Sequence, residues 1–151
     1  MYEEKFEEEK DMTETAISNV RCAAGLTSER AWIAAGEQFE LKILSVDEIR
    51  KTAEFMGRIK AGYRSGKHRH ICETHLLVIE GRLKNHTTGV EFGPGDYCYQ
   101  PKGDVHDEEA LENSLVYDSY RAETDGLVEF FDSNGKVEGQ FTLSELSKML
   151  P

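Results

Sequence analysis

From Ala31 onward the chain breaks into short segments punctuated by glycine, aspartate or asparagine, among them AWIAAG, QFELKILSV, EFMGRIKAG, THLLVIEG, DYCYQP, SLVYDSYRAE and LVEFFDSNG. Short segments with turn residues at regular spacing predict strands of a sandwich or barrel. Several alternate with period two. Between Gln38 and Leu44, Phe39, Leu41 and Ile43 oppose Glu40, Lys42 and Leu44, as a strand with one buried face requires. The run His75 to Ile79 (HLLVI) is apolar on both faces. Such a strand needs cover on both sides, from a second sheet and from another subunit, so a homodimer is expected.

The ends read differently. Residues 1–10 carry five glutamates and two lysines, and the strip continues as DMTETAISNV, which predicts an acidic, helical or frayed N-terminal extension over residues 1–30. Residues 31–151 form the single expected domain. Asn134–Gly135 predicts a tight hairpin turn. In FTLSELSKML, Thr142 stands three residues before Glu145, a capping-box spacing, and Leu143, Leu146, Met149 and Leu150 share a stripe, so a short closing helix follows. The formal net charge of −11 argues against nucleic-acid and anionic-membrane partners, which need a basic surface. No apolar run approaches the roughly 18 residues of a membrane span. MYEEKFEEEK lacks the basic flank and apolar stretch of a secretory signal, so a cytoplasmic protein is expected. Cys22, Cys72 and Cys98 are far apart and form no CxxC pair.

Four of the five histidines fall between residues 68 and 86. His68 and His70 are separated by one residue, which on a strand places both imidazoles on one face, where a divalent ion could take their nitrogens at about 2.0–2.2 Å. A second block, GDYCYQPKGDVH, ends in His106. Its Pro101 can end one strand and its Gly103 can turn the chain into the next, returning His106 beside the first pair.

These two blocks resemble the motifs of the cupins. Gly62, His68, His70 and Gly81 match the first motif, and Gly95, Pro101, Gly103 and His106 match the second. The family's glutamate ligand is replaced here by Thr74 or His75, and the asparagine closing the second motif by Ala110. The resemblance implies an all-β fold, the cupin double-stranded β-helix or jelly-roll barrel, with an N-terminal helical extension and a short C-terminal helix. Over roughly residues 31 to 150 the chain looks like the small cupin dioxygenases that cleave aryl ketones or β-diketones, with the cupin-like domain of ChrR-type anti-sigma factors as a cousin. In those dioxygenases three histidines hold a non-haem Fe(II). The resemblance therefore implies a mononuclear metal site at His68, His70 and His106, with O2 and a small ketone or diketone as substrates and oxidative C–C cleavage as the outcome.

Three neutral histidines leave the ion its full charge, which favours an enolate ligand. His75 is a fourth candidate ligand. Leu77 and Ile79 share its strand face, so parity predicts that it points inward with the core. Four nitrogens would also suit Zn(II), which is redox-inert. That arrangement supports a regulatory or ligand-sensing cupin, and a metal-dependent isomerase or lyase is a further alternative. Gln100, six residues before His106, could orient a metal-bound water or the substrate, or satisfy a strand end. Tyr97 and Tyr99 are expected outside the barrel. Asp107, Glu108 and Glu109 could supply a carboxylate that supports a metal ligand, but a charged rim is the simpler account.

Overall fold

The computed structural model describes residues 30–150; the expected helical extension lies outside the described residues. Among the described residues thirteen strands precede one helix: β1 (Ile33–Ala34), β2 (Phe39–Asp47), β3 (Thr52–Ile59), β4 (His68–His70), β5 (Glu73–Glu80), β6 (Leu83–Asn85), β7 (Glu91–Phe92), β8 (Tyr97–Gln100), β9 (Val105–His106), β10 (Glu108–Ala110), β11 (Ser114–Arg121), β12 (Gly126–Phe131), β13 (Val137–Thr142) and α1 (Leu143–Met149). A six-stranded sheet has the order β1-β2-β3-β11-β5-β8, a four-stranded sheet β13-β12-β4-β9, and a three-stranded sheet β10-β6-β7. The pairings are antiparallel. The strands are those the segment pattern predicts, and their arrangement is the all-β jelly roll that the resemblance implies. Among the described residues no helix is long and apolar enough to cross a membrane.

Alternation becomes burial. On β2, Leu41 and Ile43 are buried while Glu40 and Lys42 are not, and on β3 Ala53, Phe55 and Ile59 turn inward. Two clusters result. Leu41, Ile43, Phe55 and Tyr120 of the large sheet pack with Leu127 and Val128 of β12 and with Leu143 and Leu146 of α1. Ile59, Leu76, Val78 and Val116 pack with Leu83, Phe92 and Ala110 from the small sheet. Each fully buried aliphatic side chain contributes about 1.5–3 kcal/mol from removal of its surface from water. The large sheet thus carries both cores on one face, and the barrel interior lies between them.

The turns also follow from the sequence, with one refinement. Gly81 has φ +89°, and a Cβ there would meet Ser114 Oγ at 2.3 Å and Asn113 O at 2.4 Å, so only glycine passes. Between β12 and β13 the loop spans residues 132–136, longer than a two-residue hairpin turn. Only Gly135 adopts positive φ there; the Asp132 carboxylate closes the loop by accepting from the Asn134 and Lys136 N–H groups. The α1 capping box forms as spaced: Thr142 Oγ1 accepts from Glu145 N, and Glu145 Oε2 accepts from Thr142 N.

Candidate metal centre

β4 is three residues long, and its alternation alone sorts the HRH triplet: His68 and His70 are buried, while Arg69 points out and pairs with Glu129 at 3.2 Å. The turn after β8 brings the third histidine. Gly103, at φ +91°, donates its N–H to His70 O at 2.7 Å, and His70 N donates to Asp104 O at 2.8 Å. This ties the Pro101–Gly103 turn to β4 and seats His106 directly opposite His68 in the β4–β9 register. His68, His70 and His106 are all buried, and one nitrogen from each lies within 4.8 Å of the others.

The outer nitrogens explain why the inner ones converge. His68 Nδ1 lies 3.0 Å from Gly66 O, and His106 Nδ1 lies 2.7 Å from Asp104 Oδ2. Neither oxygen can donate, so each Nδ1 carries the hydrogen, and in the neutral ring Nε2 is a bare lone pair. His70 Nδ1 meets the Thr74 hydroxyl at 2.9 Å, and its Nε2 stands 3.2 Å from His106 Nε2. Burial favours the neutral forms of His68 and His70. It pushes His68 down to about 4, against a partial lift from Gly66 O, and His70 down to about 3, with the two neighbouring imidazoles adding to the fall. Held at their outer nitrogens by oxygens and converging within 4.8 Å of one another, the three rings fit a divalent cation that favours nitrogen.

His68 and His70 line a cavity of about 190 Å³. Both core clusters supply its apolar lining, including Leu41, Phe55, Ile59, Leu76, Val116 and Val128. Gln100 enters it, and its amide nitrogen donates to Glu108 Oε1 at 3.0 Å. Glu108 Oε1 also stands 3.6 Å from His106 Nε2. The expectation of a charged rim is therefore corrected for Glu108, which turns inward and lines the cavity; Asp107 keeps the rim position, held by Arg64 at 2.8 Å. Burial raises the Glu108 carboxyl above its ordinary value. Sequence reasoning missed Asp118. It lies on the inward face of β11 between Val116 and Tyr120, and that parity was readable in SLVYDSYR.

His75 is placed elsewhere. β5 turns Thr74, Leu76 and Val78 into the interior, so the parity expectation that put His75 inward with Leu77 and Ile79 is corrected. His75 pairs across the outer face with Tyr99, its Nε2 meets Glu73 Oε1 at 2.8 Å, and its Nδ1 bonds Tyr97 Oη. It is not among the residues whose ligand atoms converge. The position left by the missing glutamate falls to Thr74, which orients His70 instead. Tyr97 and Tyr99 are exposed, as expected.

The family described as ChrR Cupin-like domain matches residues 20–121. No curated protein matches the chain. Among solved structures, the acetylacetone dioxygenase from Acinetobacter johnsonii is 15% identical with a TM-score of 0.69, covering 81% of this chain and 85% of that one. An RmlC-like cupin protein from Ralstonia eutropha is 13% identical with a TM-score of 0.76, covering 86% and 83%. The structure of Rhodobacter sphaeroides SigE in complex with the anti-sigma ChrR is 19% identical with a TM-score of 0.53, covering 62% and 49%. At these identities the likeness is one of fold.

Proposed function

Because the chain belongs to the ChrR cupin-like domain family, we propose that it is a mononuclear Fe(II) dioxygenase that cleaves a C–C bond in a small aryl ketone or β-diketone. The observation that carries this reading is the set of three buried imidazoles whose nitrogens converge, two of them lining a mostly apolar cavity. His68, His70 and His106 would hold the metal. When bound, Fe(II) supplies Lewis acidity toward the ketone oxygens and a redox centre for O2. The protein's own residues do the rest. Gly66, Thr74 and Asp104 fix the rings, the apolar lining excludes bulk water, and Gln100 touches the ligand while holding the Glu108 carboxyl in place. The cavity is smaller than the ~300–1,000 Å³ of drug-sized pockets, which suits a small ketone. A homodimer formed through the outer face of β5 and β8 completes the proposal, since Leu77, Tyr97 and Tyr99 are exposed there. Light scattering that finds a monomer would remove that part.

The likeness to the SigE–ChrR complex favours a second reading, a Zn(II)-bound cupin that senses a ligand and holds a regulatory partner. Metal analysis of protein purified without added metal, followed by anaerobic Fe(II) loading and O2 uptake with aryl ketones and β-diketones, separates the two. Fe(II)-dependent O2 consumption on one of these substrates supports the dioxygenase. Tight Zn(II) with no such consumption on any of them overturns it.

A further inference from the structure

Glu108 turns from β10 toward the cavity, and its backbone is pinned there: its N–H donates to Ser65 Oγ and its carbonyl accepts from Ser65 N, each at 2.9 Å. The side chain is 18% exposed, and among the described residues no lysine or arginine pairs with it. What it faces is a metal-binding nitrogen. Glu108 Oε1 lies 3.6 Å from His106 Nε2, the ring atom on the side away from Asp104. That is too long for a hydrogen bond. It is close to the spacing of two donors on one ion, since atoms each about 2.1 Å from a metal at a tetrahedral angle stand about 3.4 Å apart. His70 Nε2 has a similar separation from the same His106 nitrogen, 3.2 Å.

Charge supplies the second ground. Histidines bring no negative charge to a dication, and in a mostly apolar space water cannot offset what remains. The neighbouring acids are otherwise engaged: Asp104 holds the outer nitrogen of His106, and Asp107 is forked by Arg64. Thr74, at the place of the missing glutamate, is bound to His70. Glu108 falls between His106 and Ala110, at a position for which the second motif sets no residue. We propose that Glu108 is a fourth ligand of the metal, its carboxylate doing from β10 what the glutamate of the first motif would have done. The inference rests on the reading of the three histidines as a metal site. The Glu108 oxygens stand outside the set that converges within 4.8 Å, and Oε1 is held by the Gln100 amide at 3.0 Å, so coordination takes a turn of the side chain. Gln100 is thereby a positioning residue acting through Glu108. The carboxylate offsets half of the ion's charge, so an incoming enolate gains less than three neutral histidines alone would give it.

The test loads Co(II), whose visible absorption reports its ligand set, into the full chain as wild type, Glu108→Gln and Glu108→Ala, with affinity measured by competition against a chromogenic chelator. Glu108→Gln keeps the shape and the acceptor for Gln100, so the fold is retained while the charge goes. Both variants should shift the Co(II) bands and bind about 100-fold more weakly, at the upper end of what groups that merely support a ligand contribute. Sodium acetate should restore the wild-type bands in Glu108→Ala, where a free carboxylate can fill the gap, and should leave the wild type unchanged. Unshifted bands in both variants overturn the inference even where affinity falls, because a carboxylate acting through space weakens binding without leaving the ligand set. Failure of the underlying reading shows separately: a wild type that takes up no Co(II) removes the histidine site and Glu108 with it, whereas a wild type that binds Co(II) beside variants of identical spectrum removes Glu108 alone.

Discussion

The two walls of the cavity treat buried polar groups in opposite ways. On the four-stranded sheet each imidazole has its outer nitrogen satisfied by an oxygen, from Gly66, Thr74 or Asp104. On the six-stranded sheet the Asp118 carboxyl has no such support among the described residues. The first wall is built to present one chemical face in a fixed direction. The second leaves a buried carboxyl on which only burial and the charge of Glu108 act among the described residues. Removing a histidine should therefore have the largest effect of any single change. His106→Ala takes away one of three donors and should abolish metal retention, read as metal content after gel filtration against a chelator. A variant that keeps its metal at the wild-type level breaks the assignment of this wall.

Supports of the rings come next. Asp104→Asn withdraws the charge that fixes the His106 tautomer and should weaken metal binding about 10- to 100-fold, in the range usual for such supporting contacts. Thr74→Val removes a neutral partner of His70 and should cost no more than Asp104→Asn. Competition with a chromogenic chelator ranks the two, and the reverse order would show that the charge is not what matters. Acid offers a third lever. With His68 at about 4 and His70 at about 3, neither holds a proton at pH 5.5, so neither competes with the metal there. Two ordinary imidazoles, at about 6.5, would each cost roughly tenfold at that pH. Affinity should thus fall far less than about a hundredfold between pH 7.5 and 5.5. The same shifts make the metal-free fold lose stability as pH drops from about 6.5 toward 4, because the unfolded chain takes up the protons first. Asp118, raised in the fold, acts in the opposite sense as pH rises above the ordinary carboxylate value of about 3.9, because the unfolded chain releases its proton first.

What could be read in the sequence divides along a physical line. Where one face of a strand is polar, parity is decisive: β2 buries Leu41 and Ile43, and the HRH of β4 buries both histidines and exposes Arg69. The glycine and proline of the second block fixed a turn, and the turn fixed His106 opposite His68. Parity fails in HLLVI, where both faces are apolar and nothing local says which is inside. Register with β8 and β11 decides it, placing Thr74 opposite Gln100 and His75 opposite Tyr99. Glu108 was misread because three acids in a row look like a solvated rim; its burial depends on β10 pairing with β6 and closing the barrel beside Gln100. Asp118 was legible by parity, but an acid among apolar residues reads as an outward position until the register with Phe55 and Leu76 is known.

The smallest expected effect contrasts the two faces of β5 itself. Thr74 and His75 are adjacent in sequence, both polar, and both hydrogen-bonded, yet only Thr74 touches a ring of the metal cluster. His75 is held by Glu73 and Tyr97 on the outer face of the sheet, with the buried Leu76 beside it turned the other way. His75→Ala should therefore change metal affinity by less than about twofold, within the ±0.5 kcal/mol typical of surface substitutions, while Thr74→Val changes it more. If the outer face is where a second copy binds, the same substitution should weaken the dimer in light scattering without touching the metal, because it removes the side chain that organises Tyr97 and packs beside Tyr99. A His75 variant that loses its metal would mean that β5 presents its other face in solution, and the inward positions of Thr74, Leu76 and Val78 would fall with it.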